Sequence, residues 1–394
     1  MTYTQILKHP VIGRLSLIQL ISYFGTWFSQ VAIFSMLVAY GASEVTIALT
    51  AAMGMFPAVI LAPLIGIIID RIDFKRLMMI LLFVEIVMTL CFMLINSLDI
   101  VWILMILIFI RSSAASMLFS AEMALFPKIL RGEMLKKTNE IHSIIWSLCY
   151  ASGMAVGGLA THYMGFDIAF LVDALLYTLA IFVLLGLKIQ LTQEIHDNSN
   201  WEMFKEGFVY LLSNKKIIHL ILLHATLGLT SFDALVTLLA DFQYKEVIAV
   251  PLAIGWINGM RAFALMIGPL FISNFVHKSN LHYFFALQGL GIILWAYLEY
   301  DFYISLIGLF IAGFFTTTLW SYTYLLIQEE IEPKFLGRII SYNDMFFMLA
   351  NVIVALFIGY AAKWGLSLKH ITIILGAGFI ATAGYYRWFI KRYH

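Results

Sequence analysis

Apolar residues run along the chain in long unbroken blocks, separated by short polar or glycine-containing links. Twelve blocks are long enough to cross a hydrocarbon layer ~30 Å thick, which takes roughly 20 residues in a helix. They lie at 16–40, 45–69, 77–96, 100–125, 138–162, 166–187, 217–240, 250–275, 282–299, 302–327, 338–363 and 367–390. None alternates in ten-residue units as membrane strands do, so each is predicted to be a helical span. The first is too long and too weakly flanked for a cleavable signal. Between spans six and seven, Trp201, Phe204, Phe208 and Leu211 recur at helical spacing with Glu202, Lys205 and Glu206 among them. That stretch reads either as an amphipathic helix lying in the interface or as a linker continuing into span seven. The predicted organisation is a six-helix bundle at 1–187, a linker at 188–216 and a second six-helix bundle at 217–394.

Composition removes the alternatives. Of 394 residues, 62% are hydrophobic and 12% charged, where a soluble domain has about 25% charged residues. A net charge of +1 and two cysteines, Cys91 and Cys149, exclude a nucleic-acid binder and a disulfide scaffold. Charge also orients the chain. With both termini inside, nineteen of the 24 Lys and Arg residues fall in inner loops and ends. Three, Lys245, Lys363 and Lys369, fall outside, and two, Arg111 and Arg261, lie within spans. The positive-inside rule therefore predicts cytoplasmic termini; the membrane expected is a plasma membrane, of the bacterial inner membrane type.

The two halves echo each other at an offset of about 205 residues. Gly54-Met55 answers Gly259-Met260, Pro63-Leu64 answers Pro269-Leu270, and Asn139-Glu140 answers Asn343-Asp344. Duplicated bundles of this kind put a substrate site near the midplane and point to a transporter.

Polar side chains in hydrocarbon face protein or a water-filled cavity. Four spans carry them as one-sided stripes at helical spacing. Span one has Gln19, Tyr23, Thr26 and Gln30; span seven has Thr226, Thr230, Asp233 and Thr237; span ten has Thr317, Ser321, Tyr324 and Gln328. Span four has Arg111, Ser112, Ser116 and Phe119, with Glu122 three turns from Arg111 on the same face. Every third helix is marked, the pattern of a shared cavity; for the Ser and Thr positions, helix packing explains it equally well. Trp27, Phe119, Phe315 and Trp320 are candidate aromatic walls. The candidate cavity residues are Thr26, Trp27, Gln30, Ser112, Ser116, Phe119, Thr230, Asp233, Thr317, Ser321 and Tyr324. Glu85 and Arg111 share a depth, as do Asp233 and Arg261, so each is a candidate ion pair. A buried carboxylate without a permanent partner can carry a proton during transport; the candidates for proton coupling are Arg111, Asp233, Asp173, Glu85 and Glu122. His224 lies half a turn from Asp233 and is predicted to face a neighbouring helix. No metal, nucleophile or nucleotide motif is present, so no catalytic residue, metal or cofactor is expected, and the driving force is an ion or substrate gradient.

The loop after span two, Gly66-Ile-Ile-Ile-Asp70-Arg71-Ile-Asp-Phe-Lys75-Arg76, resembles the signature of the major facilitator superfamily. Asp73 or Phe74 stands where that signature has its second glycine. The resemblance implies gating roles for Gly66, Asp70, Arg71 and Arg76, and a proton-linked role for Arg111, which matches a buried arginine of span four. Gly153-Met154-Ala-Val-Gly157-Gly158 is similar to a motif of exporting antiporters, with Met154 in place of proline. The segments Leu118–Ala121 through Pro127, Phe170–Leu175 and Gln328–Pro333 followed by Gly337-Arg338 resemble the subgroup of macrolide-efflux proteins and the enterobactin exporter. Many of its members have Asp-Trp after the span-one glycine; here the run is Gly25-Thr26-Trp27, which moves the proton role to other acids.

The expectation is an all-α membrane protein with twelve transmembrane helices in two pseudo-symmetric bundles. By resemblance it is a monomeric, proton-coupled exporter of a small apolar or amphipathic organic compound, a drug-like molecule or siderophore. An importer, or a non-transporting membrane sensor, are the competing expectations.

Overall fold

A helix satisfies every backbone N–H and C=O within its own segment, which is what hydrocarbon demands. The computed structural model describes residues 3–189, 200–332 and 334–393; the side chains at 62–64, 66, 67, 70, 136 and 200–204 lie outside the described residues. Of the chain, 88% is helical, without strands among the described residues. After a short helix, Tyr3–Leu7, the first six spans are Pro10–Ala39, Glu44–Arg71, Phe74–Phe92, Val101–Ile129, Gly132–Met164 and Phe166–Leu185. Spans eight, nine, eleven and twelve are Val250–Ile272, Leu281–Leu298, Leu336–Lys363 and Leu368–Tyr393. Among the described residues, eleven spans are long and apolar enough to cross a membrane by themselves. Span three, at 19 residues, differs in carrying three charges, Lys75, Arg76 and Glu85.

Local chemistry sets the ends. Pro10 occupies the first turn of span one, where its missing N–H costs nothing. Asp73 caps span three, its Oδ1 accepting from the Arg76 N–H at 3.0 Å. This explains the residue found where the family signature has glycine: it starts the next helix. Gly165, at φ 84°, turns the chain between spans five and six.

Spans seven and ten are not the continuous helices the spacing predicts. Span seven runs as a helix over Lys215–Ala225, a 3₁₀ turn over Thr226–Thr230, a helix over Asp233–Leu239 and a π turn over Ala240–Tyr244. The Thr226 hydroxyl donates to the Leu223 carbonyl at 2.6 Å and that of Thr230 to Leu227 at 2.8 Å, both three residues back. Gly228 between them is a weak helix former and is pressed on span eleven; a Cβ there would lie 2.8 Å from the Ala350 Cβ. Span ten is divided at Phe315 into Phe302–Phe314 and Thr316–Glu330.

The helix Asn200–Ser213 is followed by Asn214, which precedes the first helix of span seven. Leu211 is buried and Phe208 exposed; Tyr210 stacks on Phe335 at 4.1 Å. Trp201 and Phe204 have side chains outside the described residues.

The chain forms two units. One comprises Met1–Ala42, Leu64–His196 and Ala249–Gly259; the other comprises Ser43–Pro63, Asp197–Ile248 and Met260–His394. Spans two and eight therefore each contribute one part to either unit. In the first unit, span five closes on span one through Gly153 and Gly157: a Cβ at Gly157 would lie 2.3 Å from the Phe28 carbonyl oxygen. These are the glycines of the exporter-like motif, and close helix approach is what they do here.

Candidate functional site

Three spans of the first unit bring charge together, and span one adds hydroxyls. Arg111, on span four, is 5% exposed, Glu85 on span three 2% and Asp173 on span six 0%. The Arg111 Nε lies 3.1 Å from Glu85 Oε2, and its Nη2 lies 2.8 Å from Asp173 Oδ2. The same Nη2 donates to Ser29 Oγ of span one at 2.8 Å and to the Tyr177 hydroxyl at 3.2 Å. Tyr177 is in turn 2.7 Å from Thr26 Oγ1. The guanidinium carbon lies 5.5 Å from the Phe92 ring centroid. Gly25 makes room for the acid: a Cβ there would lie 2.3 Å from Asp173 Oδ1. With both acids ionised this triad carries one negative charge in excess, and a single proton makes it neutral. A cavity of ≈ 30 Å³ lined by Thr26, Gln30, Glu85, Arg111 and Ser112 adjoins it, room for about one water.

A second acid sits deeper along span four. Glu122, fully buried, accepts from Gln19 Nε2 at 3.0 Å and from the Tyr23 hydroxyl at 2.7 Å. The span-one stripe is thus divided: Gln19 and Tyr23 serve Glu122, while Thr26 and Gln30 serve the Arg111 cluster. Trp27 is turned away, against Trp146 and Tyr150 of span five at 5.7 and 4.5 Å. Ser116 is half-buried, and Phe119, exposed in part, lies 6.5 Å from the Tyr23 ring.

The second unit is arranged differently. The break in span seven removes the predicted face of Thr226, Thr230, Asp233 and Thr237. Thr230 and Thr237 are buried, while Thr226 and Asp233 are half-buried. Arg261 does come to this point, donating from Nη2 to the Thr230 carbonyl at 2.5 Å and lying 5.0 Å over the Phe232 ring. On span ten Thr317 and Tyr324 are half-buried, and Ser321 and Gln328 exposed. His224 faces a neighbouring helix as predicted, its Nδ1 2.8 Å from Thr323 Oγ1, ringed by Trp320, Tyr324 and Phe347.

Of the gating residues, Gly66 and Asp70 have surroundings outside the described residues, while Arg71 and Arg76 are exposed at the span two–three link. Sequence reasoning missed Ser29 and Tyr177. Tyr177 follows Asp173 by one helical turn and shares its face, a signal that was present. It also missed His142, and Glu299, whose Oε2 accepts from Thr372 at 3.1 Å.

Comparison with known proteins agrees with this architecture. A profile of the Major Facilitator Superfamily matches residues 15–355. Macrolide efflux protein A of Streptococcus pyogenes is 24% identical over 345 residues, 84% of each chain. Its namesake in Enterococcus faecalis is 24% identical over 311 residues, 76% of this chain and 95% of that protein. Among solved structures, the nucleoside transporter NupG superposes with a TM-score of 0.74 at 15% identity, covering 99% of this chain and 100% of that one. The POT family transporter PepTSo superposes with a TM-score of 0.76 at 11% identity, covering 98% and 99%. Likeness at such identities carries the fold. With the profile covering most of its length, this multi-pass membrane protein belongs to the Major Facilitator Superfamily of transporters.

Proposed function

We propose that this chain is a proton-coupled exporter of a small apolar or amphipathic organic compound, a drug-like molecule or siderophore, working by alternating access in the cell membrane. The observation that carries the reading is the buried triad of Arg111, Glu85 and Asp173. One guanidinium answers two acids, so one proton changes the cluster from net negative to neutral. A buried cluster whose charge changes by one unit at low dielectric has a large effect on what can occupy its surroundings. Asp173 and Glu85 are the proton acceptors in this reading and Arg111 fixes both. Thr26, held by Tyr177, stands where relatives have an acid, and Asp173 supplies the carboxylate against Gly25 instead.

The direction of transport and the substrate class are supported by the relatives named macrolide efflux protein A. A sparing use of fixed charge and a lining of Ser, Thr and aromatic residues suit mixed-polarity ligands better than sugars or phosphates. Gly66, Asp70, Arg71 and Arg76 are assigned to a gate on the side of the basic loops, and the termini to the cytoplasm. The chain acts as a monomer in this reading.

The test begins with purified protein, whose thermal unfolding is followed with erythromycin, catechol siderophores and nucleosides; stabilisation by either of the first two is expected. In energised everted vesicles, whose lumen is acid, uptake of the stabilising compound must then depend on the pH gradient. Uptake found only in right-side-out vesicles makes the protein an importer. Stabilisation by nucleosides alone removes the drug or siderophore assignment.

A further inference from the structure

Glu122 has one oxygen, Oε2, satisfied by Gln19 and Tyr23, while Oε1 has no hydrogen-bond partner although it is wholly buried. Among the described residues no cation pairs with it. His142, on span five, is 5% exposed, and neither of its ring nitrogens has a partner. Two buried polar groups left open in one bundle call for an explanation, because each costs about 1–3 kcal/mol unless something satisfies it.

Their placement supplies it. The His142 ring lies 5.1 Å from Phe119 and 6.2 Å from Phe126. On span four these phenylalanines stand three residues before and four residues after Glu122, one turn to either side on its face. An imidazole packed on both rings lies beside the Glu122 turn, without a hydrogen bond to the carboxylate in this conformation. Tyr23 closes the third side: its hydroxyl donates to Glu122 and its ring meets the imidazole edge-on at 5.9 Å. The other titratable groups facing this place are Tyr23 of span one and Cys149 of span five, whose Sγ donates to the Leu20 carbonyl. Glu85 of span three is engaged with Arg111. In the second unit the buried imidazole, His224 of span seven, has the Thr323 hydroxyl on one nitrogen.

We infer that Glu122 and His142 form a second proton-binding pair, which holds one proton between a carboxyl oxygen and an imidazole nitrogen, separate from the Arg111 triad. Loading forms one O–H or N–H bond and breaks one in hydronium; release returns the proton to water. Glu122 lies eleven residues, ~16 Å, from Arg111 along span four, toward the side that the basic loops assign to the cytoplasm. Its part in transport rests on the proton-coupled reading above; the shared proton does not.

The test uses the purified full-length protein in nanodiscs and needs no substrate. Infrared difference spectra between acid and neutral pH report carboxyl protonation, with E122Q identifying the Glu122 band. In H142Q that band is expected to move its midpoint by about one pH unit or more, the effect of removing a neighbouring charge, while E85Q leaves it in place. ¹⁵N-histidine spectra give the reciprocal reading, and hold even if H142Q folds poorly: the His142 ring signal must change its pH response in E122Q but not in E85Q. A Glu122 band indifferent to H142Q, or a His142 signal indifferent to E122Q, overturns the pair. A coupled pair in a protein that moves no protons with its substrate leaves this inference standing and removes the proton-coupled reading.

Discussion

Arg111 answers two carboxylates, and this imbalance decides what substitutions do. Arg111→Ala leaves Glu85 and Asp173 buried without a counter-charge, at a cost of about 3–5 kcal/mol. A clear fall in the thermal unfolding midpoint and loss of transport are expected, with membrane insertion retained. Adding Glu85→Gln and Asp173→Asn to that variant removes both charges. It is expected to restore much of the stability and none of the transport, which separates the structural from the coupling role. If Arg111→Ala melts with the wild type, the cluster is not the ion network described. Gly25→Ala tests the seat of Asp173. Its Cβ would lie 2.3 Å from the carboxylate oxygen, and overpacking of this kind costs about 1–3 kcal/mol. Much of this was legible beforehand. Arg111, Glu122 and Glu85 stood out because charge in an apolar run is rare, and the shared face of Arg111 and Glu122 follows from their spacing. Ser29 and Tyr177 were not singled out, because a hydroxyl in a span is more often a packing group than a ligand for guanidinium.

Helices have their own requirements. Spans one and five touch through Gly157, so Gly157→Ala must push the Phe28 backbone away and lower the unfolding midpoint. Gly384, in span twelve, has nothing within 4 Å of a Cβ and no positive φ, and Gly384→Ala is expected to be neutral or to stabilise by up to about 1 kcal/mol. Melting curves of the two variants check the contrast; equal effects would mean that the close approach is not what Gly157 provides. Eleven of the spans stand out by apolar length among the described residues; span three, with Lys75, Arg76 and Glu85, is read from the apolar block that follows its basic pair. The break in span seven could not be read this way, because no proline marks it. It arises from Thr226 and Thr230 taking carbonyls three residues back and from the pressure of span eleven on Gly228, neither of which periodicity records. The predicted stripe of Thr226, Thr230, Asp233 and Thr237 therefore fails as a face, although each residue lies at the break or just beyond it. Backbone of this kind at membrane depth is tolerated where protein or a water-filled cavity satisfies it, and Arg261 reaching the Thr230 carbonyl is one such partner.

For the whole molecule, the scarce charges carry two separate statements. The nineteen basic residues in inner loops and ends predict orientation. In a background lacking Cys91 and Cys149, both free thiols here, Lys245→Cys is expected to react with an impermeant maleimide in intact cells, and Lys391→Cys only after permeabilisation. The reverse pattern would invert the topology. The buried charges make the larger claim, that one proton on the Arg111 triad is exchanged for the exported compound. The most direct measurement follows luminal pH and erythromycin together in energised everted vesicles. For the wild type, added erythromycin should be accumulated and should release protons from the acid lumen. In Asp173→Asn, with the protein present at equal amount, both signals should disappear. Accumulation by Asp173→Asn with the same proton release as the wild type would contradict the claim that the triad couples the two.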